Sequence, residues 1–230
     1  MSFRLCPTQD ALFLDIDGTL LDIAPTPAGV IVPQSLLNSL SRLYERLGGA
    51  LALISGRGLN DIDALFSPLH LPASGVHGVE WRIDAQKVER RPLPEALRRN
   101  IHESFSHYPM ILLEDKKYAM AVHYRRAPEM ADTVESLLQK LVFRTGHHLS
   151  VMQGNMVFEV VYPGHHKGEA IERFMAHAPF AGRRPVFFGN DETDGFALNV
   201  CERLGGIGVQ VGHNAFPSPR ALREWINQQA

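Results

Sequence analysis

The chain of 230 residues is 45% hydrophobic and 21% charged, close to the globular mean. At about 150 residues per domain it makes one large domain or two small ones, either able to bury a core. Its 23 Lys and Arg against 25 Asp and Glu leave a net charge of -2 with no basic block, which excludes a nucleic-acid phosphate footprint, and its apolar runs fall far short of the roughly 20 residues of a membrane helix.

Two cysteines, Cys6 and Cys201, lack metal-ligand spacing and are too few to staple a chain this long. The N-terminus shows no secretory pattern, so reduced thiols and a cytoplasmic location are expected. Taken in order, Ala11-Leu12-Phe13-Leu14 is a continuous apolar run ending in Asp15-Ile16-Asp17-Gly18-Thr19, as a fully buried parallel strand does at its carboxyl end. Pro33 to Arg46 carries Leu36, Leu37, Leu40 and Leu43 at helical spacing and stops at Gly48-Gly49, which predicts an amphipathic helix. Gly49 to Ile54 is a second buried run, ending in Ser55-Gly56-Arg57, and Leu59 to Phe66 reads as a helix. This β-α-β-α rhythm predicts a parallel sheet covered by helices.

Between Pro94 and Pro163 the rhythm changes. Helices are expected over 94–108 and 127–142, an alternating strand over 118–124, and a strand pair over 149–152 and 157–161 turned at Gly154-Asn155. The first rhythm then returns with a helix over 167–176, a third buried run from Pro185 to Phe188 ending in Gly189-Asn190-Asp191, and a short strand over 206–211. The pattern predicts a discontinuous core domain, 1–93 with 164–230, and an inserted α+β domain, 94–163.

Three buried strands that each end in a polar cluster carry the chemistry, because ligands of open α/β sheets bind outside the carboxyl ends of the strands. Asp15 and Asp17 sit two apart, so in an extended turn both project to one side, where two carboxylates repel or share a divalent cation such as Mg²⁺. Gly18 permits tight backbone beside a ligand, and Thr19 offers a hydroxyl to steady a carboxylate.

In this order the motifs resemble the haloacid dehalogenase-type phosphatases, which carry an aspartate nucleophile in D-x-D-G-T, a Ser or Thr after a second strand, a lysine, and an acidic pair after a further strand. Here those positions are Asp15 to Thr19, Ser55, Lys167, and Gly189-Asn190-Asp191 with Asp194. Within that superfamily, Ile54 to Arg57 (ISGR), Gly75 to Arg82 (GVHGVEWR), Glu114 to Lys116 (EDK), Ala121 to Arg125 (AVHYR), Phe158 to Val160 (FEV), His166 to Ile171 (HKGEAI) and Gly189 to Asp194 (GNDETD) are similar to the bacterial trehalose-6-phosphate phosphatases, from about Ala11 to Gly212.

The resemblance implies a Rossmann-like α/β core of haloacid dehalogenase type with an inserted α+β cap that closes over the strand ends and selects the substrate. It implies hydrolysis of trehalose 6-phosphate to trehalose and phosphate, with Mg²⁺ as cofactor and a trehalose-6-phosphate synthase as functional partner. Asp15 is then the nucleophile that forms an aspartyl-phosphate, and Asp17 the acid and base that also lends its carbonyl to the metal. Ser55 and Gly56 hold the phosphoryl group, and Lys167 with the metal cancels charge on the transferring oxygens. Asp15, Asp17, Asn190 and Asp191 form the metal set. Glu114, Lys116, Glu159, His123 and Arg125 are placed on the sugar, and Arg57, His77, Glu80 and Asp194 near the phosphate or the cap.

The family usually has two aspartates where this chain has Asn190 and Asp191. An amide oxygen coordinates Mg²⁺ without formal charge, so either the affinity falls or Asp191 takes over. Related substrates, such as sucrose phosphate and glucosyl- or mannosylglycerate phosphate, share the chemistry, and a weakened sugar-phosphate-binding module is the non-enzymatic alternative. The residues alone also allow plainer roles: an Asx turn at Asp15, a helix cap at Ser55, a solvated helix start at Lys167, a buried hydrogen-bonded His77, and a charged loop at Glu114 to Lys117. Trp81 and Trp225 are expected in the core, and the histidine pairs 147–148 and 165–166 in loops.

Overall fold

The computed structural model describes residues 3–24, 29–84, 92–162, 166–213 and 215–230. The chain forms two compact units, Met1–Glu89 with His166–Ala230, and Arg90–His165. The second unit reaches slightly beyond the expected 94–163 at both ends. Residues 163–165, across the expected boundary between 163 and 164, lie outside the described residues.

The first unit is built on a six-stranded sheet ordered β10-β9-β1-β2-β3-β4. Its strands are β1 (Asp10–Leu14), β2 (Leu51–Ile54), β3 (Ala73–Gly75), β4 (Glu80–Arg82), β9 (Arg184–Gly189) and β10 (Ile207–Gln210). All neighbours pair in parallel except β4, which folds back antiparallel on β3. Every residue of β1 and β2 is buried, which is why these strands read as unbroken apolar runs: helices cover both faces of a parallel sheet. Leu14 lies opposite both Leu53 and Phe188, so the chain leaves the sheet at Asp15 between the ends of β2 and β9, the switch point where such sheets bind ligands.

Helix α1 (Gln34–Arg46) buries Leu36, Leu37, Leu40 and Leu43, as its spacing predicts. Helix α7 (Pro219–Gln229), for which the sequence raised no expectation, buries Leu222, Trp225 and Ile226 and is capped by the Ser218 hydroxyl. The two helices are joined by Ser39 Oγ donating to Asn227 Oδ1 at 3.1 Å. The core is rich in aromatic rings. Phe13, Phe174 and Phe180 pack together with Trp81, and Phe3, Phe188 and Phe216 surround Trp225, so both tryptophans are packing residues. Cys201 is buried, which pushes its thiol up to about 12 and leaves it inert.

Helix α2 (Leu59–Phe66) is tied to the edge of the sheet by a part-buried fork: the buried Arg82 of β4 donates to both carboxylate oxygens of Asp63, 2.6 Å at Nη1–Oδ2, and to the Leu71 carbonyl. Burial acts to raise the Asp63 pKa, but the Arg82 hydrogen bonds and charge outweigh it and hold the carboxyl below its ordinary value. The fork therefore adds stability above about pH 4 that is lost as pH falls further. Asp63→Asn is expected to cost about 3 kcal/mol at pH 7, since it strands the guanidinium, and much less at pH 3. Denaturant unfolding at both pH values checks this, and an equal loss at each would contradict it.

The second unit is a four-stranded antiparallel sheet ordered β5-β6-β8-β7, with β5 (Leu112–Asp115), β6 (Met120–His123), β7 (Ser150–Gly154) and β8 (Val157–Val161). Helices α3 (Glu95–Phe105) and α4 (Ala131–Arg144) bury Leu97, Ile101 and Phe105 and Val134, Leu138 and Val142 in a core shared with Met120, Val122, Phe158 and Val160. Helix α3 lies within its expected span and ends three residues earlier, whereas α4 starts later than expected: a short 3-10 turn takes Pro128–Met130 ahead of it, because proline fits a first turn better than a helix interior. The hairpin turns at Asn155-Met156 rather than Gly154-Asn155, with Met156 in the left-handed region at φ 60°. Strand β5 takes up the Glu114-Asp115 half of a segment that the residues alone allow as a charged loop. Among the described residues no helix is long and apolar enough to cross a membrane.

Candidate active site

Asp15 follows β1 and is buried. Its backbone N–H continues the ladder to the Phe188 carbonyl at 3.0 Å, so its side chain is aimed by the sheet itself. Oδ1 accepts from Lys167 Nζ at 2.8 Å and Oδ2 from Thr19 Oγ1 at 2.7 Å. Burial pushes the carboxyl up to about 6, against the pull of the Lys167 charge. Thr19 returns to this position because Gly18, at φ +80°, reverses the chain in a conformation that side chains rarely adopt.

Lys167 opens helix α5 (Lys167–Met175) and is buried rather than solvated. Its Nζ lies 2.8 Å from Asp15 Oδ1 and 2.5 Å from Asp194 Oδ1. Burial opposes the ammonium charge, but the fields of Asp15 and Asp194 overcome it and raise the pKa above that of an ordinary lysine. One buried cation thus joins two buried carboxylates, and the site carries a net negative charge of its own.

Asp194 corrects an expectation. It was placed among the substrate contacts, yet it is fully buried with both oxygens engaged: Oδ1 by Lys167, and Oδ2 by the backbone N–H groups of Asn190 at 2.8 Å and Asp191 at 3.1 Å. It holds the loop after β9 to the lysine. The spacing of Asn190 and Asp194, at the start of helix α6 (Gly195–Arg203), is the turn-closing pattern that signals such a role.

The carboxylates of Asp15 and Asp17 have different partners within the chain. Asp17 points to Arg57, which forks onto it with Nε–Oδ2 2.6 Å and Nη2–Oδ1 2.7 Å. Each carboxylate has its own cation, so the repulsion that two adjacent carboxylates imply is resolved within the chain.

Ser55 ends β2 and is buried. Its Oγ accepts the Arg57 N–H at 3.1 Å, closing a tight loop. It does not cap α2: Gly58 holds the cap position, and the buried Glu80 takes the Leu59 N–H at 2.5 Å. Val76 and His77 are both left-handed, at φ 48° and 53°, a costly conformation for a β-branched residue. It is held by Val76 N–H on the Arg57 carbonyl and His77 N–H on the Ser55 carbonyl. The strained pair lays the half-buried His77 ring against Gly56, where a β-carbon would come within 2.6 Å of Nε2. Gly56 must therefore lack a side chain.

The Asn190 carboxamide lies across Gly18 and faces Asp15 Oδ2 at 3.2 Å and the Asp17 carbonyl at 2.9 Å. Asp191 turns its Oδ1 away, onto Thr193 Oγ1 at 2.6 Å and the Asp194 N–H at 3.2 Å. Burial acts to raise the Asp191 pKa, but Lys167 and these hydrogen bonds hold it below the usual carboxylate value. Among the described residues no three His, Cys, Asp or Glu are grouped to hold an ion. The set that converges is a carboxylate, a backbone carbonyl and an amide, hard oxygen donors of the kind a small divalent cation takes.

The second unit carries its own polar cluster. The β5-β6-β8 register sets Glu114, Ala121 and Glu159 in one row across the sheet, on the face opposite Met120, Val122, Phe158 and Val160. The small Ala121 between the two acids leaves room for Lys116, whose Nζ lies 2.8 Å from Glu159 Oε1 and 4.0 Å from Glu114 Oε2. His123, next on the same face, meets Glu114 Oε2 at 3.2 Å. Four of the five expected sugar contacts are thus together. Arg125 stands apart, its guanidinium 3.4 Å from the Asn155 carbonyl at the hairpin. His147 and His148 lie in a loop as expected, whereas His166 caps α5 by accepting the Glu169 N–H at 3.0 Å. His165 lies outside the described residues.

The comparisons agree with this anatomy. The family described as trehalose-phosphatase matches residues 13–225. The chain is 43% identical to the trehalose-6-phosphate phosphatase of Escherichia coli, over 89% of this chain and 78% of that protein. It is 41% identical to a Sinorhizobium fredii protein named "Probable trehalose-phosphate phosphatase", over 93% and 84%. Its fold matches the C-terminal domain of the C. albicans trehalose-6-phosphate phosphatase at TM-score 0.79 with 20% identity, covering 96% of this chain and 92% of that one. It also matches a Bacteroides thetaiotaomicron phosphatase of the haloalkanoate enzyme superfamily at TM-score 0.59 with 14% identity, covering 99% and 98%. Because the family match runs through both units and takes in the whole cluster from Asp15 to Asp194, this chain belongs to the trehalose-phosphatase family.

Proposed function

We propose that this protein hydrolyses trehalose 6-phosphate to trehalose and phosphate, with Mg²⁺ bound and an aspartyl-phosphate formed on Asp15. The observation that carries the reading is the buried Asp15 carboxylate, held by Lys167 and Thr19 at the mouth of β1 with the Asn190 amide and the Asp17 carbonyl beside it. A Mg²⁺ held by Asp15, the Asp17 carbonyl and Asn190 would supply the charge that lets a carboxylate approach a phosphate dianion. A trehalose-6-phosphate synthase is the expected source of the substrate. The two free thiols, Cys6 and Cys201, favour a cytoplasmic setting.

The residues divide the work as follows. Lys167 and Thr19 occupy one position on each Asp15 oxygen and fix the carboxylate for in-line attack. As the Asp15 oxygen bonds to phosphorus, the bond from phosphorus to the sugar oxygen breaks, and Asp17 protonates that oxygen. Asp17 then takes a proton from the water that attacks phosphorus, the bond to Asp15 breaks, and phosphate leaves. The Arg57 fork holds the Asp17 side chain by both of its oxygens. A phosphate dianion beside Arg57 offers the guanidinium a competing partner and frees the Asp17 side chain to reach the leaving oxygen. Ser55 Oγ, which accepts from Arg57 N–H, keeps its own proton for a phosphoryl oxygen.

Phosphate release from trehalose 6-phosphate, sucrose 6-phosphate, glucose 6-phosphate and a glucosylglycerate phosphate, with Mg²⁺ and with chelator, tests the reading. Preferential turnover of trehalose 6-phosphate that chelator abolishes is expected. Preference for another ester would change the substrate, and turnover indifferent to chelator would remove the metal. Glu159→Ala is expected to raise KM for trehalose 6-phosphate about tenfold, the loss of one or two hydrogen bonds to a charged group, with little change toward a small aryl phosphate. Unaltered selectivity among sugar phosphates would take Glu159 off the sugar.

A further inference from the structure

The carboxamide of Asn190 lies so close across Gly18 that a β-carbon there would come within 2.3 Å of one of its two terminal atoms. The other terminal atom faces three oxygens at once: Asp15 Oδ2 at 3.2 Å, Thr19 Oγ1 at 3.0 Å and the Asp17 carbonyl at 2.9 Å. Thr19 gives its one hydroxyl proton to Asp15 Oδ2, 2.7 Å away, so all three oxygens are acceptors toward Asn190. Such a group is costly to bring together unless a donor or a cation stands among them. A carboxamide meets the demand in two ways, because a half-turn about one bond exchanges its oxygen and nitrogen without changing its shape. With nitrogen inward it shares two N–H among the three oxygens, whereas with oxygen inward it competes with Asp15 for the Thr19 hydroxyl, 3.0 Å away. With oxygen inward it becomes a ligand beside Asp15 and the Asp17 carbonyl.

We propose that the Asn190 amide is a stand-in for the cation: in the metal-free chain its nitrogen points inward and holds Asp15, Thr19 and the Asp17 carbonyl where ligands are needed, and binding turns the amide over. The inference rests on the cation-dependent reading above. It adds that the metal-free and metal-loaded sites share one shape, and that the switch is a rotation in place. Gly18 leaves a slot that a flat amide fills, so the group turns rather than swings. A carboxylate at the same position has no nitrogen to offer: it sets a second negative charge beside Asp15 in the metal-free chain and adds charge to the ligand set in the loaded one.

Asn190→Asp, of almost the same size, separates these roles. Both proteins, stripped by chelator, are titrated with Mn²⁺ by electron paramagnetic resonance and melted with and without the metal, and the Asn190 side-chain amide of the unsubstituted chain is followed by ¹⁵N NMR. The Asp variant is expected to bind Mn²⁺ at least about tenfold more tightly, as ligand charge sets affinity for hard cations, and to melt lower than the unsubstituted chain when metal-free. The Asn190 amide protons, identified by their absence from the variant's spectrum, are expected to exchange slowly without metal and to shift and exchange faster with Mg²⁺. Equal Mn²⁺ affinities, equal metal-free melting, or amide protons untouched by saturating Mg²⁺ would each overturn the stand-in. Failure of both proteins to bind Mn²⁺ would remove the cation reading itself, and the inference with it.

Discussion

Asp15→Asn is expected to lower kcat for trehalose 6-phosphate by on the order of 10⁴-fold or more, the scale on which enzymes lose activity with their nucleophile. The amide preserves the shape and can still accept from Lys167 or Thr19, so the protein should fold normally and still bind substrate. The cause is chemical, because a neutral amide does not form the bond to phosphorus. Asp17→Asn should cost less, about 10² to 10⁴-fold as for a lost acid and base. Because the missing base also serves the second step, phosphate from substrate should remain attached to that variant, on Asp15. Mass spectrometry of acid-quenched protein reads this directly. More than about a tenth of normal turnover in Asp15→Asn would place the nucleophile elsewhere.

Lys167→Met is expected to destabilise the core by about 3–5 kcal/mol, the cost of removing one partner from a buried ion pair. Methionine fills the volume of the lysine stem, so the loss reports the charge rather than a cavity. Two carboxylates, Asp15 and Asp194, remain buried behind it. The loss should depend on pH. Burial already places the Asp15 pKa near 6 against an unfolded value of 3.8, so Asp15 favours the folded state most below about pH 4 and progressively less as pH rises through 6. Without the lysine that window moves upward, and the variant should be weakened more at pH 8 than at pH 5. Urea unfolding at the two values checks this, and a destabilisation equal at both would show that Lys167 supports packing alone.

How much of this was legible in the residues depended on burial. β1, β2 and β9 are covered on both faces, so they write themselves as Ala11-Leu12-Phe13-Leu14, Leu51 to Ile54 and Val186 to Phe188, and their polar ends mark the site without any fold in hand. β3 and β4 are three residues each, too short for any periodicity, and β5 is largely exposed, so its glutamate and aspartate read as a loop. The missed helix α7 was signalled by Ser218-Pro219 at its start, a hydroxyl cap before a first-turn proline. Residue types at the site were legible because their chemistry constrains them: Asp15, Lys167 and Ser55 stand where their order along the strands predicts. Their partners were not. That Arg57 forks onto Asp17, that Asp194 is sealed under Lys167, and that Asn190 rather than Asp191 lies against Asp15 follow from which strand ends are neighbours, and no local pattern encodes that.

The central position of β1 has a consequence for how the protein is made. β1 is synthesised first, yet one of its two neighbours is β9, about 170 residues later in the chain by their register of Asp10 on Arg184. The buried Asp10 waits for that strand as well, since its carboxylate is forked by Arg184 at 2.8 and 3.1 Å. Until the last fifth of the chain leaves the ribosome, β1 keeps one edge of backbone N–H and C=O groups unpaired, the kind of surface that recruits chaperones or other nascent chains. The inserted unit, a contiguous stretch with its own core, can fold during that wait. A message broken before β9 therefore yields a chain with a finished inserted unit, an exposed strand and no Asn190 or Asp194, a species for protein quality control to remove.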